Sequence, residues 1–272
     1  MKSTIVEPPR RLNLPRFGDL WQAREVVVRL AQRDIIVRYR QTVLGVAWVI
    51  IQPVLSAGIF SLVFGTVAKL SSDGLPYFLF SLAGMLPWNL FNGALSRGSG
   101  SLLANQSLVA KVFFPRVLVP LSTVASVLLD FLVGLVVAVV LLFVFGVNPG
   151  WPVLLIPVWV VLICLLGQGI GMATAAMMVR YRDVGYILPW LTQILLYGSP
   201  VAYALSSVPD RLRWIFDINP ITWFLEAFRW SLVGTTAPPA WQVLALVIAS
   251  VGAFFLGLLY FQSHEREFAD II

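Results

Sequence analysis

The sequence predicts an all-α membrane protein with six transmembrane helices, an N-terminal amphipathic interface helix and a re-entrant or interfacial helical hairpin on the outer side. Three observations lead there. Hydrophobic residues make up 59% of the 272 and charged residues only 12%, with a mean hydropathy of +0.87, more apolar surface than a water-soluble fold can cover. Setting the charged segments aside leaves six apolar stretches, each close to the roughly 20 residues that a bilayer core demands of a helix. The cations are asymmetric as well: with the N-terminus inside, fifteen Lys and Arg fall on inner segments and four, Lys69, Arg211, Arg213 and Arg229, on outer ones. That bias orients short loops and puts both termini in the cytoplasm.

Taken in chain order, residues 1–16 carry Pro8, Pro9, Pro15 and several arginines and read as an extended leader. Nine Lys and Arg in the first forty residues, with no apolar run leading to a small-residue cleavage site, do not make a cleaved signal peptide. From Gly18 to Tyr39 the pattern turns helical. At 100° per residue Gln22, Arg29, Arg33 and Arg40 share a polar stripe opposite Leu20, Val27, Ala31 and Ile35. Residues 1–42 are thus expected to form a cytoplasmic leader and interface helix, 43–262 the membrane domain and 263–272 a cytoplasmic tail. The spans are expected at 43–68, 77–96, 117–146, 152–179, 186–205 and 241–261.

Between the second and third spans, residues 97–116 form a long inner connection that is unusually apolar. Leu102, Leu103, Leu108, Val109, Val112, Phe113 and Phe114 suit a short helix presented to a partner protein, or a loop that dips into the membrane. Lys111 and Arg116 flank the stop at Pro115. Between residues 206 and 234 two half-apolar pieces, 209–217 and 220–233, are too short to cross. Asn219 followed by Pro220 marks a helix start, and Trp214, Trp223, Phe224, Phe228 and Trp230 supply interfacial aromatics. Irregular backbone at membrane depth must be buried in protein or face a watery cavity, so this hairpin is expected to border a translocation route.

Other features constrain the chemistry. Tyr77, Phe80, Gly84, Trp88 and Phe91 fall within about a quarter of the second span's circumference. The stripe suits a sugar-stacking channel wall, and equally helix packing or an interfacial belt. Trp190, Gln193 and Tyr197 form a shorter face of the same kind on the fifth span. Asp130 lies inside the third span, where an acid costs about 3 kcal/mol, and is expected to be a hydrogen-bonded structural acid. Gly167, Gly171 and Ala175 repeat every four positions, as close helix packing requires. Cys164 is the one cysteine and His264 the one histidine, so no disulfide framework, metal cluster or acid–base constellation emerges.

The order of Arg38, Tyr39 and Arg40, then Leu44, Gly45, Trp48, Gln52 and Pro53 opening the first span, then Phe113, Phe114, Pro115 and Arg116, then Tyr181, Arg182 and Asp183, and finally Asn219 and Pro220 resembles the permease subunit of bacterial polysaccharide ABC exporters. O-antigen, capsule and teichoic acid exporters belong to that group, and the resemblance runs from about residue 18 to 262. It implies a homodimer working with two copies of an ABC ATPase, which would hold ATP and Mg, and a lipid-linked polysaccharide as cargo. It further implies a coupling helix at about 102–113, with Leu102, Leu103, Leu108, Lys111 and Phe113 toward the ATPase. Arg33, Arg38, Tyr39 and Arg40 would stand at the head-group entrance, and an outer gate at about 208–233 would include Asn219, Pro220, Trp223 and Phe224. The channel residues would be Tyr77, Phe80, Trp88, Phe91, Trp190 and Tyr197.

The residues agree with a subunit that lacks its own motor. A P-loop needs Gly-x-x-x-x-Gly-Lys-Ser/Thr, and Lys2, Lys69 and Lys111 stand in no such setting. No catalytic residue, metal or cofactor is therefore expected in this chain, and no nucleic-acid partner; membrane lipids surround it. A membrane enzyme acting on lipid-linked sugars would need clustered acids or histidines, and a secondary transporter paired intramembrane charges. A drug or small-lipid exporter would keep the same architecture, against which the aromatic stripe and interface helix argue mildly.

Overall fold

The computed structural model describes residues 24–39, 47–112, 114–265 and 268. The expectations on the leader 1–16, Leu20, Gln22, Arg40, Leu44, Gly45, Phe113 and Arg266 lie outside the described residues. Among the described residues the regular structure is helical throughout. The order is α1 (Arg24–Tyr39), α2 (Ala47–Phe60), α3 (Tyr77–Ala104), α4 (Gln106–Lys111), α5 (Leu118–Phe145), α6 (Ile156–Arg180), α7 (Val184–Tyr197), α8 (Asp210–Asp217), α9 (Pro220–Val233) and α10 (Ala240–His264). Ser61–Val67 continues α2 with wider, π-type turns, as in the bond from Ala68 N–H to the Val63 carbonyl.

Among the described residues, five segments are long and apolar enough to cross a bilayer: Ala47–Val67, Tyr77–Ala104, Leu118–Phe145, Trp151–Arg180 and Ala240–His264. The fifth expected span, 186–205, contains a shorter apolar helix: α7 has 14 residues and ends at Tyr197, about 21 Å at 1.5 Å per residue. Gly198, Ser199 and Pro200 form the turn that follows it. The second span is corrected. It runs on to Ala104, so Arg97 belongs to a helix rather than to a loop.

The core forms around α3, the most buried span, which packs against α6 and α5 and meets α9 on a further side. One large cluster joins Leu79, Leu82, Trp88, Phe91, Phe131, Ile163, Phe224 and Phe228. A second cluster at one end of the bundle joins Leu30 of α1 to Leu102, Val109, Leu118, Met172 and Phe261. That end gathers α1, α4, the start of α5 and the ends of α6 and α10.

Helix approach here depends on missing side chains. A Cβ on Gly257 of α10 would lie 1.9 Å from the Gly169 carbonyl oxygen of α6, and one on Gly169 would lie 2.4 Å from Ala253. The repeat expected to pack closely does so on another face of α6: Cβ atoms on Gly167 and Gly171 would meet Phe91 O at 2.9 Å and Ala94 O at 3.2 Å on α3. Buried polar groups tie α6 to two further helices, with Trp159 Nε1 donating to Ser231 Oγ of α9 at 2.7 Å and Gln168 Nε2 to Thr123 Oγ1 of α5 at 3.1 Å.

Helix α1 is less segregated than its stripe suggested. Leu30 and Ala31 are buried, yet Val28, Ile36 and Val37 are exposed beside the arginines. The helix packs along α5, which takes up one apolar edge only.

Candidate functional site

Among the described residues, three places concentrate polar chemistry where an apolar chain should avoid it. The first lies between α1, α2, α3 and α5. Arg97, on α3, donates from Nη1 to Ser126 Oγ at 2.8 Å and from Nη2 to Asp130 Oδ2 on α5. Arg38, in the last turn of α1, reaches the same Oδ2 at 2.7 Å. Asp130 is thus a paired acid on a membrane helix, held by two guanidiniums from different elements, which offsets its desolvation. These groups border a cavity of about 180 Å³ that also takes in Gln52, Asn89 and Asn92.

The second place surrounds Arg229, whose side chain is fully enclosed. It arises from α9, which begins where Asn219 accepts from the Ile221 N–H at 3.0 Å and Pro220 presets the first turn. From there Arg229 donates to Pro200 O and Val201 O at 2.6 Å each and to Glu226 Oε1 at 3.1 Å. Its guanidinium stands 4.0 Å from the centre of the Phe80 ring. Gly84 makes room, because a Cβ there would lie 2.2 Å from Val201 O and 2.5 Å from Arg229 Nη2. One cation therefore satisfies the irregular backbone beyond α7 and pins it to α3 and α9. Asn219 and Tyr77 add ties, through Ser199 Oγ at 2.9 Å and the Ala202 carbonyl at 2.7 Å.

The third place is a groove at the α1 end of the bundle, lined by Leu103, Gln106, Met178, Arg180, Arg182 and Tyr186 among others, with a volume of about 610 Å³. It runs between α4 and the turn joining α6 to α7. Arg33 of α1 donates to Asn105 Oδ1 at the break between α3 and α4, and also pairs with Asp34 at 3.0 Å.

The structure sorts the candidate residues differently from their sequence pattern. Phe80, Trp88 and Phe91 are 1 to 3% exposed and pack inside the protomer, Phe91 against Phe224 with ring centres 5.6 Å apart. A continuous second-span channel face is corrected accordingly: periodicity placed these rings on one side of α3, and that side holds α9. Trp190 and Tyr197, at 62% and 57%, do stand exposed on α7. At the coupling segment, Leu102 is fully buried and Val109 nearly so, with Leu108 packed on the second cluster. They face the bundle instead of a partner. Gln106, Ser107, Ala110, Lys111 and Val112 form the exposed rim of α4, and Leu103 opens onto the groove. Of the arginines expected at a head-group entrance, Arg33 and Arg38 are each bonded within the protein, and Tyr39 closes α1.

The hairpin halves also part company. Helix α8 exposes Leu212, Trp214 and Ile215, whereas Trp223, Phe224, Leu225, Phe228 and Arg229 bury α9 among α3, α6 and α10. Arg229 was missed by sequence reasoning, which counted it among outer-loop cations. The signal available was its position three residues after Glu226 in an otherwise apolar helix. Arg97 was likewise missed as Asp130's partner; no spacing rule joins them.

The comparisons with known proteins bear on this arrangement as a whole. Residues 25–233 match the profile of the ABC-2 type transporter family. The chain is 29% identical over 256 residues to the O-antigen export system permease protein RfbA of Myxococcus xanthus, covering 93% of this chain and 98% of that protein. It is 27% identical to an O-antigen export system permease protein RfbA of Klebsiella pneumoniae, covering 91% and 95%. It is 24% identical to the polysialic acid transport protein KpsM of Escherichia coli, covering 90% and 96%. With its helical bundle, its short apolar α7 and a profile match that takes in most of its length, the chain belongs to the ABC-2 type transporter family.

Proposed function

We infer that this chain is the membrane-spanning permease of an ATP-driven exporter that carries a lipid-linked polysaccharide of the O-antigen type out of the bacterial cytoplasm. The observation that carries the reading is similarity along nearly the whole chain to permeases named for polysaccharide export. The energy source is a separate ABC ATPase, which binds ATP and Mg and seats in the groove between α4 and the α6–α7 turn. Gln106, Ala110 and Lys111 on the rim, with Arg180 and Arg182 opposite, offer it a concave, cationic surface. This end is cytoplasmic, together with both termini, in keeping with the cation bias.

Helix α1 connects that dock to the membrane. Arg33 is bonded to Asn105 at the root of α4, and Arg38, further along the same helix, is bonded to Asp130 between α3 and α5. A displacement of α4 on nucleotide binding is thereby passed along one helix to the head-group entrance at Arg38. Two permeases pair. Helix α2 supports this, because little of it is buried in the protomer and Trp48, Leu55, Ile59 and Leu62 lie exposed. The exposed Trp190 and Tyr197 of α7 face the sugar route, where aromatic rings stack on sugars without reading each hydroxyl. The buried α9, fastened by Arg229, is the fixed floor of the outer gate.

The test is ATP turnover in nanodiscs by this chain with its ATPase, with and without an undecaprenyl-linked glycan. Turnover that requires both proteins and rises with the glycan is expected. Failure of the two to copurify or to hydrolyse ATP together would overturn the reading.

A further inference from the structure

We propose that Glu265 and Phe268, at and beyond the end of α10, form a clasp that positions α4, the helix on which the ATPase seats, a role that rests on the exporter reading for the ATPase alone. The clasp itself stands on contacts within this chain.

Helix α4 cannot hold its own place. It has six residues, of which Val109 alone is buried, and a helix so short is unstable by itself in water. Its position is therefore set at its two ends. At the first, Arg33 of α1 donates to Asn105 Oδ1, and Asn105 Nδ2 donates to the Ser101 carbonyl at 2.8 Å. The second end leads within five residues to Arg116, two residues before α5 begins. There the Arg116 backbone N–H donates to Glu265 Oε1 at 2.8 Å, and Arg116 Nη1 donates to the Glu265 backbone carbonyl.

Each of these two residues completes the open end of the other's helix. Helix starts leave N–H groups, and helix ends leave carbonyls, without partners inside the helix, and the macrodipole favours an acid at the start and a cation at the end. Glu265 brings the acid to the start of α5, and Arg116 brings the cation to the end of α10. Phe268 secures the same corner from the apolar side. It is 1% exposed, its ring centre lies 5.1 Å from that of Phe261, and it belongs to the cluster that joins Leu30, Leu102, Val109 and Leu118. Phe114, in the connection from α4 to α5, packs on that cluster as well. Residues 262–267 are all polar, so the burial of Phe268 beyond them distinguishes a clasp from a trailing end. Helix α4 thus hangs between a fastening to α1 and a fastening to α10, and loosening the second frees it to swing about Asn105 while the spans stay folded.

The experiment is amide hydrogen exchange of the full chain in nanodiscs, read by mass spectrometry, on Glu265→Ala, Glu265→Gln, Phe268→Ala and Phe268→Leu. Exchange over 106–112 should quicken about tenfold in Glu265→Ala, the value of one charge-assisted hydrogen bond, and at least as much in Phe268→Ala, while α3 and α9 exchange as in wild type. Glu265→Gln, which keeps an acceptor oxygen, and Phe268→Leu, which keeps an apolar side chain, should restore most of the protection. Unchanged exchange over 106–112 in both alanine variants would overturn the clasp, and so would an equal quickening of α3, α4 and α9, the mark of a general loss of stability. Mixed with the ATPase, the alanine variants should capture less of it than wild type; full capture by a loosened α4 would overturn the positioning role. A wild-type chain that captures no ATPase would remove the exporter reading instead, and the exchange result, obtained without ATPase, would still decide the clasp.

Discussion

Arg229 makes the sharpest prediction, because its surroundings set both the size and the order of three substitutions. Replacing it with Met refills the stem but strips the charge-assisted donors from Pro200 O and Val201 O, two carbonyls in a buried turn. Each abandoned acceptor costs about 1–3 kcal/mol, and the lost contact with Phe80 adds up to about 2 kcal/mol in a desolvated setting. Releasing a buried cation returns part of this, leaving a net loss of about 3–5 kcal/mol. Arg229→Lys keeps the charge and one carbonyl bond but not the fork, and should cost about 2 kcal/mol. Glu226→Gln keeps an acceptor on a side chain that is 19% exposed and should cost about 1 kcal/mol. At about 2 °C per kcal/mol for a chain of this size, apparent melting temperatures in one detergent should fall by roughly 8, 4 and 2 °C. Size-exclusion chromatography of the heated protein reads them directly. A Met variant melting with the wild type, or a Lys variant melting below the Met variant, would refute the assignment of Arg229 as the fastener of the α7–α9 turn.

Other expectations follow from the same structure. Gly257→Ala places a methyl carbon on the Gly169 carbonyl, so α6 and α10 must part; overpacking of this kind costs about 1–3 kcal/mol or more, read as lost monodisperse yield. Asn219→Ala removes the cap of α9 and its bond to Ser199, costing about 1 kcal/mol, and Asn219→Asp, which retains the acceptor, should recover most of the melting temperature. Lys111→Glu on the exposed rim of α4 should leave melting unchanged while reducing copurification with the ATPase; Leu102→Ala, at a fully buried position, should lower melting by an amount typical of a core leucine, about 2–5 kcal/mol.

Much of the helical layout was legible because hydropathy and caps are local. The expected third span, 117–146, appears as Leu118–Phe145, and the hairpin halves expected at 209–217 and 220–233 appear as Asp210–Asp217 and Pro220–Val233. Helix α7 ends at Tyr197, earlier than the apolar stretch 186–205 suggests, since apolar residues continue through 201–205 and hydropathy does not distinguish lipid-facing chain from chain buried in protein. The aromatic stripe shows the same ambiguity. A period of 3.6 establishes that Phe80, Trp88 and Phe91 share a face, and tertiary packing alone decides that α9 covers it. Leu102 and Leu108 were assigned outward for the corresponding reason: an apolar residue in a loop suits a partner or the protein's own bundle equally. At the site, the sequence marks Asp130 as a hydrogen-bonded structural acid, but the arginines that pair with it stand 33 residues before it and on α1, separations that carry no local signal.

The contact of bare backbones between Gly169 and Gly257 bears on how the molecule is made. Helix α6 emerges from the ribosome well before α10, and until the later helix arrives its glycine face is a groove open to lipid. Helix α9, emerging between them, has α3 and α6 to rest against but still lacks the wall that α10 provides. The bundle is consequently completed from behind, by a late strut dropping into a slot left vacant for it. During that interval the half-built chain offers a narrow furrow that lipid tails fit poorly. Arrested chains ending before α10 would be the natural clients of membrane chaperones and proteases, and a short delay in translation there would be felt in yield rather than in transport.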